Sequence, residues 1–158
     1  MSIPRAVLTV SIFVAQAAAA RAGVIQVPGD YLNLQVAVNN AVDGDVILIQ
    51  PGSYAGPVDI GHKSLTLVVE TGGAIVPRIA VHDLSASKTV ILRGLGGDGA
   101  AFAAGPNLNG LQLTDNAGYV VVEGSTLHGG KGYAAALVTG SAHVAFTHCT
   151  ILGGTGAR

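Results

Sequence analysis

A repeat of 24 residues is the feature that most constrains the fold of this chain. The segment YVVVEGSTLHGG (119–130) aligns without gaps on HVAFTHCTILGG (143–154), with four identical positions. The segments TVILRGL (89–95) and SLTLVV (64–69) fit the same register in two earlier units. Units of about 20 to 30 residues that consist of short strands are typical of a β-solenoid.

The N-terminal residues resemble an export signal. Arg5 precedes a mostly apolar run at 6–20, and Ala20-Arg21-Ala22 offers small residues at the positions that a signal peptidase reads. The run is shorter than the roughly 20 residues of a membrane-spanning helix. We therefore predict a signal peptide at 1–22, one β-helix domain at 23–158, and a secreted, cell-surface or periplasmic location.

Composition excludes some classes of protein. All nine acidic residues and six of the eight basic ones follow residue 22, which leaves that part at a net charge of −3. Nucleic-acid binding needs clustered Lys and Arg, so no nucleic-acid partner is expected. One cysteine permits no internal disulfide, so the fold must be stabilised by packing.

One segment has helical periodicity. Its apolar positions recur at the spacing of a single helix face: Leu34, Ala37, Val38, Ala41 and Val42. Asn33 is placed to cap the start of this helix, and Gly44 suits the position beyond its end. The rest of the chain is predicted to form short strands, with turns such as Pro51-Gly52-Ser53 between them.

The register of the repeat assigns inward and outward positions. Inward positions of the last unit are Val144, Phe146, Cys149 and Ile151, above Val120, Val122, Ser125 and Leu127. One outward column is predicted to hold Ile49, Val68, Arg93, Glu123 and Thr147. A second would hold Ile47, Thr66, Ile91, Val121 and Ala145. The second column is unusually apolar for a solvent-facing surface, which indicates either a cover or a partner.

The segment VIQVPGDYLNLQVAVNNAVDGDVILIQPGSY (24–54) carries a family resemblance. It contains in order a strand, a helix opening with Leu34-Gln35, Gly44-Asp45, a second strand and Pro51-Gly52-Ser53-Tyr54. This order resembles the start of right-handed parallel β-helix proteins of the pectin-lyase-like superfamily. The resemblance implies an all-β fold, a single-stranded right-handed parallel β-helix (solenoid) with an N-terminal capping α-helix.

The two ends of such a solenoid differ. An amphipathic helix over the first coil blocks an exposed strand edge. No equivalent segment follows the last strand, so the domain is expected to be C-terminally incomplete. Further coils or a partner are expected to contact the uncapped C-terminal end.

The enzymes of this superfamily act mostly on acidic polysaccharides, at the outer face of one sheet. Their lyases hold calcium with several carboxylates, their hydrolases use closely placed Asp residues, and their esterases place a Glu after the PGxY segment. Here Tyr54 is followed by Ala55, and there is no Asp-Asp pair. These departures favour a chain without catalysis of its own.

Arg93 and Glu123 are the main candidates for chemistry. Neighbouring strands would place them about 5 Å apart. They form either an exposed ion pair or the edge of a groove in which Arg93 binds a uronate. Asp115 is the third catalytic candidate, and Asp98, Asp115 and Glu123 are the candidate calcium ligands. No other cofactor is expected.

The histidines show no metal-ligand motif. His62 and His82 lie beside the N-terminal strands and are expected to be solvated turn residues. His128, His143 and His148 fall at three different points around the coil. Cys149 is expected to be a buried small side chain.

Two functions follow from these observations. The first is a secreted or cell-surface β-helix module, non-catalytic, that provides a scaffold or a binding surface for acidic polysaccharide. The alternative is a pectin-lyase-like polysaccharide lyase or glycoside hydrolase with much of its active site beyond this chain. A purely structural segment is a third option.

Overall fold

A computed structural model describes residues 22–95, 102–103 and 109–154. It shows a parallel β-solenoid of about five turns with one short helix, which confirms the predicted all-β parallel β-helix. The elements in chain order are β1 (Val24–Val27), α1 (Leu34–Asn40), β2 (Asp45–Ile49), β3 (Gly52–Ser53), β4 (Val58–Gly61), β5 (Leu65–Val69), β6 (Ala74–Ile75), β7 (Ile79–His82), β8 (Thr89–Arg93), β9 (Phe102–Ala103), β10 (Leu111–Thr114), β11 (Tyr119–Glu123), β12 (Thr126–His128), β13 (Ala136–Thr139), β14 (His143–Thr147) and β15 (Thr150–Leu152).

Each complete coil contributes one strand to each of three faces. The first face is the six-stranded sheet β1-β2-β5-β8-β11-β14. The second face comprises β3-β6 and β9-β12-β15, and the third is the sheet of β4, β7, β10 and β13. All strand pairs are parallel. The segment Gly52–Ser53, predicted as a turn, is a strand because it pairs with β6 on the second face.

The core consists of apolar ladders that run along the solenoid axis. On the first face, Ile47, Leu67 and Leu92 stack in consecutive coils, and all three are fully buried. Full burial of one such side chain stabilises the fold by roughly 1.5–3 kcal/mol. Phe146 continues the ladder in the last described coil but is only half-buried, because no described strand lies beyond β14.

The predicted outward columns need one correction at β2. Ile47 and Ile49 are fully buried and face the core, where they pair with Leu67 and Val69. The outward positions of β2 are Val46 and Leu48, which are half-buried. Three of the five residues of β2 are isoleucine or leucine, so hydrophobicity alone did not distinguish its two sides. The register from β8 to β14 is confirmed.

The helix α1 packs on the first coil. Asn33 caps it as predicted, because its side-chain oxygen accepts a hydrogen bond from the amide of Val36 at 3.1 Å. At the other end Lys63 donates to the carbonyls of Val38 (3.1 Å) and Ala41 (2.9 Å), where a cation offsets the negative helix terminus. Val42, predicted on the buried face, is exposed because the helix ends at Asn40.

At the corner between the third and first faces, the residue at the same position in each coil has a left-handed backbone conformation. His62, Asp83, Asp115 and Gly140 occupy it in consecutive coils, with φ angles of 61°, 53°, 52° and 62°. The corner turns the chain sharply, and Asp tolerates this conformation better than most residues. In the part of the chain that the structure describes, α1 is the sole helix, and it is far too short to cross a membrane.

Candidate functional site

The predicted pair of Arg93 and Glu123 lies on the outer surface of the first face. The two residues are direct partners on β8 and β11. Nε and Nη2 of Arg93 donate to the same oxygen, Oε2 of Glu123, at 2.8 and 2.7 Å. Arg93 is exposed and Glu123 half-buried. The arrangement places one cation and one carboxylate side by side in water.

Asp115 does not join this pair. It lies at the corner before β11, whereas Glu123 is the last residue of that strand. The length of β11 alone, five residues, separates the two by more than about 13 Å. Asp98, the other weak calcium candidate, lies outside the described residues. The described carboxylates Asp115 and Glu123 therefore do not converge on one calcium ion.

An aromatic stack lies at the opposite end of the first face, between the first residues of β11 and β14. The rings of Tyr119 and His143 are nearly parallel, 4.6 Å between centroids and 18° between planes. They border a shallow groove of about 330 Å³, whose floor includes Val121 and Ala145. The 24-residue repeat already places Tyr119 opposite His143, but the sequence does not show that their rings stack.

The outer surface of β11 combines three kinds of contact. Tyr119, Val121 and Glu123 alternate with buried residues and so point to the same side. They are spaced about 7 Å apart along the strand. The apolar column through Val121 continues to Ile91 and Ala145 on the neighbouring strands. An aromatic platform, an apolar strip and an ion pair thus follow one another across the first face.

A second cluster lies on the outer surface of the third face. Nε2 of His82 is 2.9 Å from Oδ1 of Asp59, and Nδ1 of the same ring is 2.7 Å from Oδ2 of Asp83. The ring of His62 meets that of His82 edge-on, with 5.9 Å between centroids. One ligand atom from each of His62, His82 and Asp83 lies within 4.8 Å of the others.

The carboxylates around His82 favour its charged form. The hydrogen bond to Asp83 raises the pKa of His82, and the nearby charge of Asp59 raises it further. Partial burial of the ring opposes these effects but is smaller than the first. His82 is therefore held on both sides by carboxylate oxygens.

Sequence analysis missed this cluster because it treated His62 and His82 as separate turn residues. His82 lies instead on β7 and is half-buried. The signal was present in the segments VDIGH (58–62) and IAVHD (79–83), which pair residue by residue over their first four positions. That pairing sets His82 beside Gly61 and brings Asp59 and Asp83 to its two sides.

The remaining polar candidates have structural roles. Cys149 is half-buried, and its sulfur lies 3.3 Å from the carbonyl oxygens of both Val122 and Thr147, either of which can accept its one S–H hydrogen. The hydroxyl of Tyr54 in the PGSY segment lies 2.7 Å from the carbonyl oxygen of Gln50 and 3.2 Å from that of Val27, and its one hydrogen is shared between them, which ties the first coil to β1. Burial raises the pKa of Tyr54, and the charge of Glu70 adds to the effect.

The histidines of the later coils are spread around the solenoid. His128 lies on β12 of the second face and His143 on β14 of the first, while His148 occupies the corner between these faces with a left-handed φ of 53°.

Comparison with known proteins adds no relative. No protein-family model matches the chain, and neither the curated proteins nor the solved structures contain a match.

Proposed function

We propose that this chain is a non-catalytic β-solenoid module that binds polysaccharide along the outer surface of its first face. The observation that carries the proposal is the stack of Tyr119 on His143 beside the pair of Arg93 and Glu123. These groups lie on parallel strands of one sheet, which holds them at fixed spacing without a conformational change.

The aromatic stack suits the apolar side of a sugar ring. The C–H groups of a pyranose form a flat and weakly positive surface, which packs on the electron-rich face of an aromatic ring. Tyr119 is exposed and is supported by His143, so its ring is held in place before a ligand arrives. Such pre-organisation reduces the entropy that binding costs.

Arg93 suits the carboxylate of a uronic acid. A guanidinium forms strong charge-assisted hydrogen bonds to carboxylates. Its present partner, Glu123, is held through a single oxygen in solvent, and a ligand carboxylate can compete for the same donors. This supports an acidic polysaccharide over a neutral one.

The carboxylates of the first face favour binding over hydrolysis. Glycosidases need two carboxyl groups between about 5 and 9.5 Å apart. Within the described strands of this face, Glu123 is the sole carboxylate on the outer columns. The competing function, a pectin-lyase-like lyase or hydrolase, would need catalytic groups from elsewhere. Export to the cell surface, the extracellular space or the periplasm belongs to the proposal, since it depends on the predicted signal peptide.

One experiment separates these functions. The chain is incubated with immobilised pectic, alginate and neutral polysaccharides, with and without calcium, while retention and new reducing or unsaturated ends are measured. Retention on acidic glycans without new ends supports the binding module. New ends that vanish in Glu123→Ala or Arg93→Ala would replace it by the enzyme. If a folded sample is not retained on any polysaccharide, the remaining interpretation is a purely structural segment.

A further inference from the structure

We propose that His62, His82 and Asp83 bind one divalent transition-metal ion, with zinc as the best fit, and that Asp59 orients His82 for it. The site lies at the corner of the first two coils, on the third face. It is separate from the glycan surface on the first face and does not depend on it.

The ligand set matches the preferences of zinc. Two imidazoles and one carboxylate are ligands that zinc binds at about 2.0–2.2 Å, whereas calcium prefers six to eight oxygens. In a tetrahedral site with such bonds the ligand atoms are about 3.4 Å apart. Here the three atoms already lie within 4.8 Å of one another. His62 and Asp83 are exposed, so small side-chain rotations can close the remaining distance.

Asp59 contacts the ring nitrogen of His82 that faces away from the proposed metal. Metal-bound histidines usually donate their second ring N–H to a carboxylate, which fixes the tautomer and the ring orientation. Nε2 of His82 is 2.9 Å from Asp59, so Nδ1, which lies 2.7 Å from Asp83, is the nitrogen left for the metal. Binding then releases the proton shared by Nδ1 and Asp83, and the metal takes its place between them.

The helix α1 holds Asp59 in position. The amide of Asp59 donates to Oε1 of Gln35 at 2.6 Å, and Nε2 of Gln35 donates to the carbonyl of Asp59 at 3.1 Å. The orienting carboxylate therefore projects from a backbone segment that is tied to the helix by two hydrogen bonds.

Gly61 provides the space for the ring of His82. A Cβ atom at position 61 would lie 2.7 Å from Cε1 and 3.0 Å from Nε2 of that ring. Gly61 does not have a positive φ, so its backbone conformation does not require glycine. A larger residue at position 61 would instead force the imidazole of His82 out of its present place. The ring lies across the first coil, between Asp59 on one side and Asp83 on the other.

The next coil supplies an internal comparison. Asp115 occupies the same left-handed corner as Asp83, but its preceding residue is Thr114 in place of His82. The left-handed corner is thus present in the coil of Asp83 and in the coil of Asp115. The histidines at or next to this corner, His62 and His82, occur only in the first two described coils. Three protein ligands leave the fourth position of a tetrahedral ion open to water or to another ligand.

The test is a titration of the full chain, without a polyhistidine tag, with Zn²⁺ by calorimetry and with Co²⁺ by visible absorption. We expect one equivalent of Zn²⁺ and the intense visible bands of tetrahedral Co²⁺. His62→Ala and Asp83→Asn should weaken binding at least about tenfold, as should Asp59→Asn, which keeps all three ligands. The controls Asp115→Asn and His148→Ala should leave the affinity unchanged.

Gly61→Ala tests whether the metal binds at this pre-formed site or only to histidines elsewhere on the surface. This variant retains every ligand but displaces the ring of His82, so we expect it to lose the Co²⁺ spectrum. Circular dichroism checks that each variant remains folded. The proposal is overturned if the chain binds no stoichiometric Zn²⁺. It is also overturned if His62→Ala and Asp83→Asn bind as tightly as the controls, or if Gly61→Ala, still folded, keeps the spectrum.

Discussion

Arg93 directs two nitrogens, Nε at 2.8 Å and Nη2 at 2.7 Å, at a single carboxylate oxygen of Glu123. The pair joins β8 to β11 on the outer surface of the first face. Because Arg93 is exposed and Glu123 is only half-buried, solvent screens their attraction, and ion pairs at protein surfaces stabilise proteins by less than about 1 kcal/mol. The pair therefore contributes little to the stability of the fold.

Replacing Arg93 should affect binding more than stability. We expect Arg93→Ala to lower the free energy of unfolding by less than about 1 kcal/mol, measured by urea denaturation. The same variant should lose most of its retention on acidic polysaccharide, because the guanidinium is the cation at that position. Retention on any neutral glycan should stay the same. A variant that unfolds readily but still binds acidic glycan would contradict this account.

The core ladder should carry the stability. Leu92 is fully buried between Leu67 and Val122, so Leu92→Ala should cost about 2–5 kcal/mol of unfolding free energy. Leu32, with 87% of its surface exposed, provides the matched control, and Leu32→Ala should change stability by less than about 0.5 kcal/mol. Chemical denaturation of both variants measures the difference. If Leu92→Ala and Leu32→Ala lowered the free energy of unfolding equally, Leu92 would not be part of a buried core ladder.

Asp43 should make the fold sensitive to acid. Hydrogen bonds from the Lys88 ammonium and from the backbone amide of Ser64 lower the pKa of Asp43 in the folded chain. A lowered folded-state pKa stabilises the fold above the unfolded value, near pH 4, and the gain is lost as pH falls through the folded value.

The variant Asp43→Asn should therefore be less stable than the parent at pH 7, and the two stabilities should converge below about pH 4. Lys88→Gln should narrow the same difference, since it removes the main cause of the shift. Urea denaturation over pH 2 to 7 measures these curves. A constant gap between Asp43→Asn and the parent at every pH would rule out the linkage.

The solenoid could be predicted from the sequence because polar and apolar residues alternate in several strands, and this alternation shows which residues of successive repeats correspond. Thr89, Arg93 and Glu123 mark the outward side of β8 and β11, and the pairing of these strands is confirmed. The strand β2 (DVILI) has isoleucine inward and other aliphatic residues outward, so its two sides look alike in the sequence. The predicted register of β2 was therefore wrong by one residue. A shift of one residue exchanges the two faces of a strand.

The candidate sites were harder to predict because they depend on neighbours from different coils. Arg93 and Glu123 were paired correctly, since a 30-residue offset joins them. The cluster around His82 depends on an offset of 21 residues between β4 and β7, shorter than the repeat that defined the fold. Asp115 was grouped with Glu123 because it falls in a turn near that coil, yet it lies before the start of β11 and Glu123 lies at the end of that strand.

The most direct test of the proposed function is the affinity of Tyr119→Ala for the acidic polysaccharide that retains the parent chain. The matched control is Tyr133→Ala, because Tyr133 is also exposed (43%, against 52% for Tyr119) but lies in the turn before β13, away from the first face. We expect Tyr119→Ala to bind at least about tenfold more weakly, a loss of about 1.4 kcal/mol, and Tyr133→Ala to bind like the parent. Equal affinities for the two variants would contradict a glycan site on the first face.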